Sequence, residues 1–133
     1  MRHTATFSKE TTNRLNAAGA DFHIGIMEYL MEKDPTDMDI VAELADLYTR
    51  SGRIEAGLAM DIKLVAHDPA NPIAHYNLAC SYSLTKQAKA SLDELEMAIK
   101  LGYTDADHIL NDPDLSNVRS NPRFKSLLSG IQR

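Results

Sequence analysis

A repeat of 34 residues constrains the fold of this chain more than any other feature of its sequence. Residues 38–71 align without a gap with residues 72–105. Both copies carry the pattern Leu-Ala-x2-Tyr, at Leu44, Ala45 and Tyr48 in the first copy and 34 residues later in the second. A leucine and a tyrosine that are four residues apart lie on the same face of a helix. Self-similarity at such a period is typical of stacked helical units, so we expect each copy to form one helical hairpin.

Turn and cap signals divide each copy into two helices. Ser51-Gly52 predicts the end of one helix, because glycine adopts the left-handed conformation without a Cβ penalty. Asp68-Pro69 predicts the end of the next, because proline cannot donate the following helical hydrogen bond. In the second copy Lys86 occupies the place of the loop glycine. The expected helices cover residues 37–51, 54–67, 72–85 and 88–101.

The period and the Leu-Ala-x2-Tyr core resemble the tetratricopeptide repeat (TPR) family. The resemblance implies an all-α fold in which antiparallel helical hairpins stack as a short right-handed solenoid. It also implies small residues where the two helices of a hairpin approach most closely, which here are Ala45, Gly57, Ala79 and Ser91. The expected division of the single domain 1–133 is a degenerate repeat 4–37, repeats 38–71 and 72–105, and C-terminal capping helices 106–133.

Two polar residues stand where the family has large ones. Asp61 is the poorer fit, because a buried carboxylate without a partner is costly, and we expect it to reach solvent or to pair with a base. His75 is expected to pack in the core with a satisfied ring nitrogen.

The ends of the chain are less regular. We expect a polar helix from Ser8 to Ala18, a turn at 18–21 and an amphipathic helix from Phe22 to Lys33. The apolar side of that second helix is predicted to comprise Phe22, Ile26, Met27, Leu30 and Met31. Near the other end we expect a short helix at 106–110 and a last helix that begins at Asn121-Pro122, because proline suits the first helical position. Its predicted apolar stripe is Phe124, Leu127, Leu128 and Ile131.

Composition excludes several classes of function. The net charge of −5 argues against general binding to nucleic acid or to an anionic membrane. The single cysteine cannot form an intramolecular disulfide, which indicates a reducing compartment. Neither a signal-peptide core nor a run of eighteen apolar residues occurs, so we expect a cytoplasmic protein.

The sequence offers little for catalysis. Cys80 needs a base, but His75 lies five residues away, about 140° around the helix, so the two cannot meet within it. The five histidines form no zinc motif, and the chain has no phosphate-binding glycine loop. Asp112-x-Asp114 resembles the start of a calcium loop, but the later ligands are missing, so Asx turns are the better interpretation. We expect no enzyme activity, no cofactor and no metal.

By the TPR resemblance, the first helices of successive hairpins line a concave groove that takes a peptide. The groove residues carried over to this chain are Asp39, Ala42, Asp46, Arg50, Ile73, Tyr76, Asn77, Cys80 and Leu84. Among these, Ile73, Tyr76 and Leu84 are expected to form an exposed apolar contact patch. Of the clamp that grips C-terminal carboxylates in chaperone cofactors only Asn77 is present, while Ala42 and Asp46 replace a lysine and an asparagine.

With Asp39 and Asp46 in the groove, a basic or apolar segment is favoured over an acidic tail. The leading interpretation is therefore a non-enzymatic adaptor that binds a protein segment. Two alternatives remain. The chain could self-associate as a homodimer through the stripe around Phe22, Ile26 and Leu30, or it could be a small secretion-type TPR chaperone that holds an exported client.

Overall fold

Helices follow one another along residues 8–131, which are the residues that the computed structural model describes. Residues 8–131 contain no strand. The α-helices are α1 (Lys9–Lys33), α2 (Met38–Arg50), α3 (Ile54–His67), α4 (Pro72–Leu84), α5 (Ala88–Lys100), α6 (Ala106–Asn111) and α7 (Pro122–Ile131), with a 3-10 turn at Pro113–Leu115. Residues 1–7 and 132–133, which include the expected start of the first repeat at residue 4, lie outside the described part of the chain.

The 34-residue period extends to the backbone hydrogen bonds of the two middle hairpins. At the ends of α2 and α4, the Ser51 and Thr85 amides donate to carbonyls four residues earlier. Each of these helices begins at a side-chain cap, Asp37 for α2 and Asn71 for α4. The four helices predicted for residues 37–101 are confirmed to within one residue at each end. Local capping signals were sufficient to place them.

Small residues lie where the two helices of each hairpin approach most closely, as expected. A Cβ built on Gly57 would come within 2.5 Å of the Thr49 hydroxyl and 3.3 Å of the Ala45 carbonyl oxygen. In the second hairpin the hydroxyl of Ser91 donates a 2.7 Å hydrogen bond to the Ala79 carbonyl. Because both sites are buried, larger side chains there would push the paired helices apart.

The turn predicted at 18–21 is wrong, because α1 is one continuous helix of 25 residues. A single glycine inside a helix costs only about 1 kcal/mol, and the neighbouring alanines favour helix. The first proline in the chain is Pro35, which lies beyond the end of α1. Residues 8–33 therefore form no hairpin of the kind expected for a degenerate repeat at 4–37.

The packing face of α1 also differs from the predicted stripe. Ile24, which is 1% exposed, packs with Met27 and Met31 against residues of α2 such as Leu44 and Tyr48. Phe22 is 72% exposed, and Ile26 and Leu30 are exposed as well. The stripe at 24, 27 and 31 meets α2, whereas 22, 26 and 30 lie on the other side. The prediction was correct for Met27 and Met31 and wrong for the other three.

The C-terminal segment, defined as residues 106–131, packs over α4 and α5. It contributes Ile109, Leu115, Val118, Phe124 and Leu128 to one buried cluster with Leu92, Leu95 and Ala98 of α5. The predicted helices near 106–110 and from Pro122 are confirmed. Arg123 ties α7 to α5 through ion pairs with Asp93 and Glu96, at 2.7 and 2.6 Å.

Among the helices of residues 8–131, none combines the length and the apolar character needed to cross a membrane.

Candidate functional site

An acidic pocket of about 230 Å³ lies between α2, α3, α4 and the C-terminal segment. Its lining includes four aspartates, Asp46, Asp61, Asp112 and Asp114, and one histidine, His108. Apolar wall is supplied by Ala42, Ala45, Leu64 and Tyr76, and the remaining lining residues are Thr49, Asn77, Cys80 and Ser81. Ala42, Asp46 and Asn77 are exposed and so form an open rim. The volume is smaller than the about 300–1,000 Å³ of pockets for drug-sized ligands.

Five of the nine groove residues predicted from the TPR resemblance meet in this acidic pocket, namely Ala42, Asp46, Tyr76, Asn77 and Cys80. The other four, Asp39, Arg50, Ile73 and Leu84, are outside its lining. Arg50 instead pairs with Asp46 across one turn of α2, with its Nε 2.8 Å from the carboxylate.

The exposed apolar patch expected at Ile73, Tyr76 and Leu84 is not formed. Tyr76 is buried beneath the C-terminal segment and Tyr103: its hydroxyl donates to Asp112 at 2.6 Å, and its ring stacks on that of Tyr103 at 4.2 Å between centroids. Burial and the Asp112 hydrogen bond raise the pKa of the Tyr76 phenol. Ile73 is exposed and Leu84 is half-buried. The C-terminal segment thus occupies part of the face that the resemblance assigns to a peptide.

Asp61 lines the open acidic pocket and pairs with no base among residues 8–131, so the ion pair that was the second expectation for it is not formed. Its residue is 5% exposed, and the Ser81 hydroxyl on α4 donates to its Oδ2. No ion pair among residues 8–131 includes it, and Oδ1 accepts no hydrogen bond from these residues. Burial raises the pKa of the Asp61 carboxyl from 3.8 to about 6, against the opposing effect of the Ser81 hydrogen bond. At neutral pH the acidic pocket therefore contains a buried negative charge that no cation of the described residues balances.

Cys80 is buried at the wall shared with the C-terminal segment. Its thiol donates to Oδ2 of Asp112 at 3.8 Å, and the pocket atoms of Cys80, Asp112 and Asp114 lie within 4.8 Å of one another. Burial and the two carboxylates raise the pKa of the Cys80 thiol. Because the thiolate is the form that binds metal and attacks substrates, this environment disfavours both roles. Asp112 already accepts hydrogen bonds from Tyr76, Cys80 and the Asp114 amide.

The Asx turn predicted at Asp112 is confirmed, because its Oδ1 accepts from the Asp114 amide at 3.0 Å and caps the 3-10 turn.

His75 lies in the core with both ring nitrogens hydrogen-bonded, as expected. Nδ1 contacts the Glu94 carboxylate and Nε2 lies 2.7 Å from the Pro69 carbonyl. Burial alone would lower the pKa of His75, but the hydrogen bonds to Glu94 and Pro69 raise it above its usual value. Because both nitrogens are engaged, His75 offers no base to Cys80.

Sequence reasoning missed the pocket residues of the C-terminal segment, His108, Asp112 and Asp114, together with the contacts of Asp61 and Ser81. A signal existed only for Asp61, the carboxylate at a position where the other copy has Leu95. The Asp112-x-Asp114 motif predicted Asx turns but not this pocket, because Asp112 meets Tyr76 across 36 residues of chain.

Comparison with known proteins gives a partial similarity. No protein-family model matches the chain. A chloroplastic protein from Arabidopsis thaliana is 36% identical to it over 84 residues, a stretch that covers 61% of this chain and 25% of the plant protein. The chain thus matches about a quarter of the length of that relative.

Proposed function

We propose that this chain is a TPR-type helical module that binds a segment of another protein without catalysis. The observation that carries the proposal is the acidic pocket, which has an open rim of Ala42, Asp46 and Asn77 on α2 and α4. The backbone hydrogen bonds that recur at 34 residues in the two middle hairpins support the TPR part. A solenoid stack, a cytoplasmic location and the absence of activity belong to the same proposal.

The chemistry of the pocket supports binding over catalysis. The thiol of Cys80 is buried beside carboxylates that keep it protonated, and His75 is held in the core by Glu94 and Pro69. His108 is exposed and its Nε2 lies 3.4 Å from Asp112. The group that the Cys80 thiol meets is the Asp112 carboxylate, which raises the pKa of the thiol instead of activating it.

The C-terminal segment shortens the surface on which a partner can lie. Tyr76 and Cys80 are covered by it, whereas Asp46, Asn77 and Ile73 remain exposed. A bound segment would therefore cross the rim between α2 and the start of α4 instead of running along the whole length of α4.

Selection from a display library of short random peptides tests this function. We expect wild type to enrich peptides that an Asp46→Lys/Asn77→Ala variant no longer retains. Both positions are exposed, so the variant keeps the fold. Glu10→Lys is the matched control, because Glu10 is also an exposed carboxylate paired with an arginine four residues later, Arg14. Peptides that bind wild type and the double variant equally, or no enrichment at all, would refute the groove assignment.

Self-association is the second candidate function, and one observation favours it. The side of α1 opposite Ile24 carries exposed apolar side chains, which are Leu15, Phe22, Ile26, Tyr29 and Leu30. At about 100° per residue they lie within about 60° of the direction opposite Ile24. A second copy could cover this stripe with its own α1.

Light scattering over a range of concentrations separates the two candidates. A dimer mass that Phe22→Glu converts to a monomer mass supports self-association. The control is Ile62→Glu, which places the same charge at an exposed apolar residue on α3. A monomer mass at the highest concentration would remove this candidate and leave the binding function unaffected.

A further inference from the structure

We propose that the acidic pocket takes one cationic side chain, an arginine or a lysine, from the bound protein segment, with Asp61 at its base as the countercharge. This inference rests on the proposed function and specifies the chemistry of the partner. A cluster of carboxylates alone would not carry it. The carrying observation is Asp61, a carboxylate that is 5% exposed and directed into the pocket.

The negative charge of the Asp61 carboxylate has no cationic partner among the described residues. Asp61 receives one hydrogen bond, from Ser81, and takes part in no ion pair within residues 8–131. Buried carboxylates are normally paired or bound to a cation, because an isolated charge loses its hydration. The second copy has Leu95, fully buried, at the position that corresponds to Asp61. The fold therefore accepts an apolar residue there, and the aspartate reduces stability instead of supporting the core.

The other pocket residues fit the same ligand. Asp112 and Asp114 add negative charge, although Asp112 also accepts hydrogen bonds from Tyr76 and Cys80. Asp46 at the rim is partly compensated by Arg50. Among the described lining residues, His108 is the one with a basic side chain, and it is exposed. Carboxylates that converge in a partly desolvated pocket hold a guanidinium or an ammonium group more strongly than surface carboxylates do.

The shape and the apolar wall distinguish a side chain from a metal ion. Ala42, Ala45 and Leu64 line the same pocket as Asp61, and the alkyl stem of arginine or lysine packs well on such a surface. A volume of about 230 Å³ suits one side chain and is small for a cofactor. A bare metal ion would leave this apolar wall without a contact.

Chemical-shift titration of the isotope-labelled protein tests the inference without knowledge of the partner. The probes are N-acetyl-arginine N-methylamide, the lysine analogue, and the citrulline analogue, which has nearly the shape of arginine but no charge. We expect the two cationic probes to shift the amide resonances of Asp61, Asn77 and Ser81, with dissociation constants on the order of 1–10 mM. The citrulline probe should leave these resonances in place.

Two variants complete the test. Asp61→Asn should weaken binding of the arginine probe about tenfold, and Glu10→Gln, which removes the same charge from an exposed site on α1, should leave it unchanged. Equal shifts with citrulline, equal affinity in Asp61→Asn, or no shift up to about 50 mM probe would each overturn the inference.

Failure of this inference is distinguishable from failure of the proposed function. If display selection yields rim-dependent peptides without arginine or lysine, the binding function stands and the cationic anchor is wrong. If the arginine probe binds at Asp61 and no peptide depends on Asp46 and Asn77, the anchor stands and the groove assignment is wrong.

Discussion

Replacement of Asp61 by asparagine should stabilise the protein at neutral pH and leave it unchanged in acid. Burial raises the pKa of this carboxyl from 3.8 to about 6 in the folded protein. Between these two values the folded state binds the proton more tightly than the unfolded chain, so the free energy of unfolding falls as pH rises. Below about pH 3 both states are protonated and nothing is lost, and above about pH 6 the loss is nearly complete. At 1.36 kcal/mol per pKa unit, the full loss is about 3 kcal/mol.

The assay is urea unfolding of wild type and Asp61→Asn, followed by circular dichroism at several pH values. Asparagine keeps the size of the side chain and an oxygen for the Ser81 hydroxyl, so its own effect is independent of pH. We expect the stability difference between variant and wild type to grow by about 3 kcal/mol between about pH 3 and pH 7. All the other side chains are the same in the two proteins, so their contributions largely cancel in the difference. If the stability difference between the two proteins stayed constant within about 0.5 kcal/mol over this pH range, the reasoning would be refuted. Such a result would mean that the pKa of Asp61 in the folded protein is ordinary.

Three further predictions concern the second hairpin. Leu78→Ala should lower the free energy of unfolding by about 2–5 kcal/mol because Leu78 is buried, and a loss below about 0.5 kcal/mol in urea unfolding would contradict the packing of α4. Lys86→Gly should raise stability by about 1 kcal/mol, since Lys86 has a φ of +61° where Gly52 stands in the first hairpin; a lower midpoint of thermal unfolding would argue against this. Cys80 should react with iodoacetamide at pH 8 at least about 100-fold more slowly than free cysteine, because its thiol is buried and its pKa is raised, whereas alkylation at the free rate would show that the C-terminal segment opens.

Much of the fold was predictable because its signals are local. The Ser51-Gly52 turn, the prolines that follow α1 and α3, and the small residues within each hairpin act over a few residues of sequence. The helices from 38 to 100 therefore lie where these signals place them. The turn at 18–21 was predicted from composition alone, and the helical preference of the alanines around Gly19 outweighed it.

The candidate site was predictable only on the side formed by α2 and α4. The TPR resemblance implied that Ala42, Asp46, Asn77 and Cys80 share one surface, and these residues do line the acidic pocket. The other side depends on contacts between distant residues, such as the hydrogen bond from Tyr76 to Asp112. No periodicity encodes such a contact, because the irregular chain around Pro113 could meet the hairpins in many registers. The burial of Tyr76 was missed for the same reason.

The identity of Asp61 shows how a departure from a repeat pattern can be informative. The sequence marked it as a carboxylate in a core position, and the structure gives it one serine partner and access to the acidic pocket. A residue that lowers stability at neutral pH and faces a pocket is typical of a binding site, since stability and function often compete at such positions. Asp61→Asn should accordingly gain stability and lose affinity for the cationic probe in the same protein.

Binding at the acidic pocket is tested most directly by a chemical-shift map of the labelled protein with a rim-dependent peptide from the display selection. We expect the amide resonances of Asp61, Asn77 and Ser81 to move together as the peptide is added, while those of Phe22 and Ile26 on α1 remain in place. Shifts confined to α1, with the pocket resonances unchanged, would contradict binding at the pocket and would assign it to the exposed stripe of that helix.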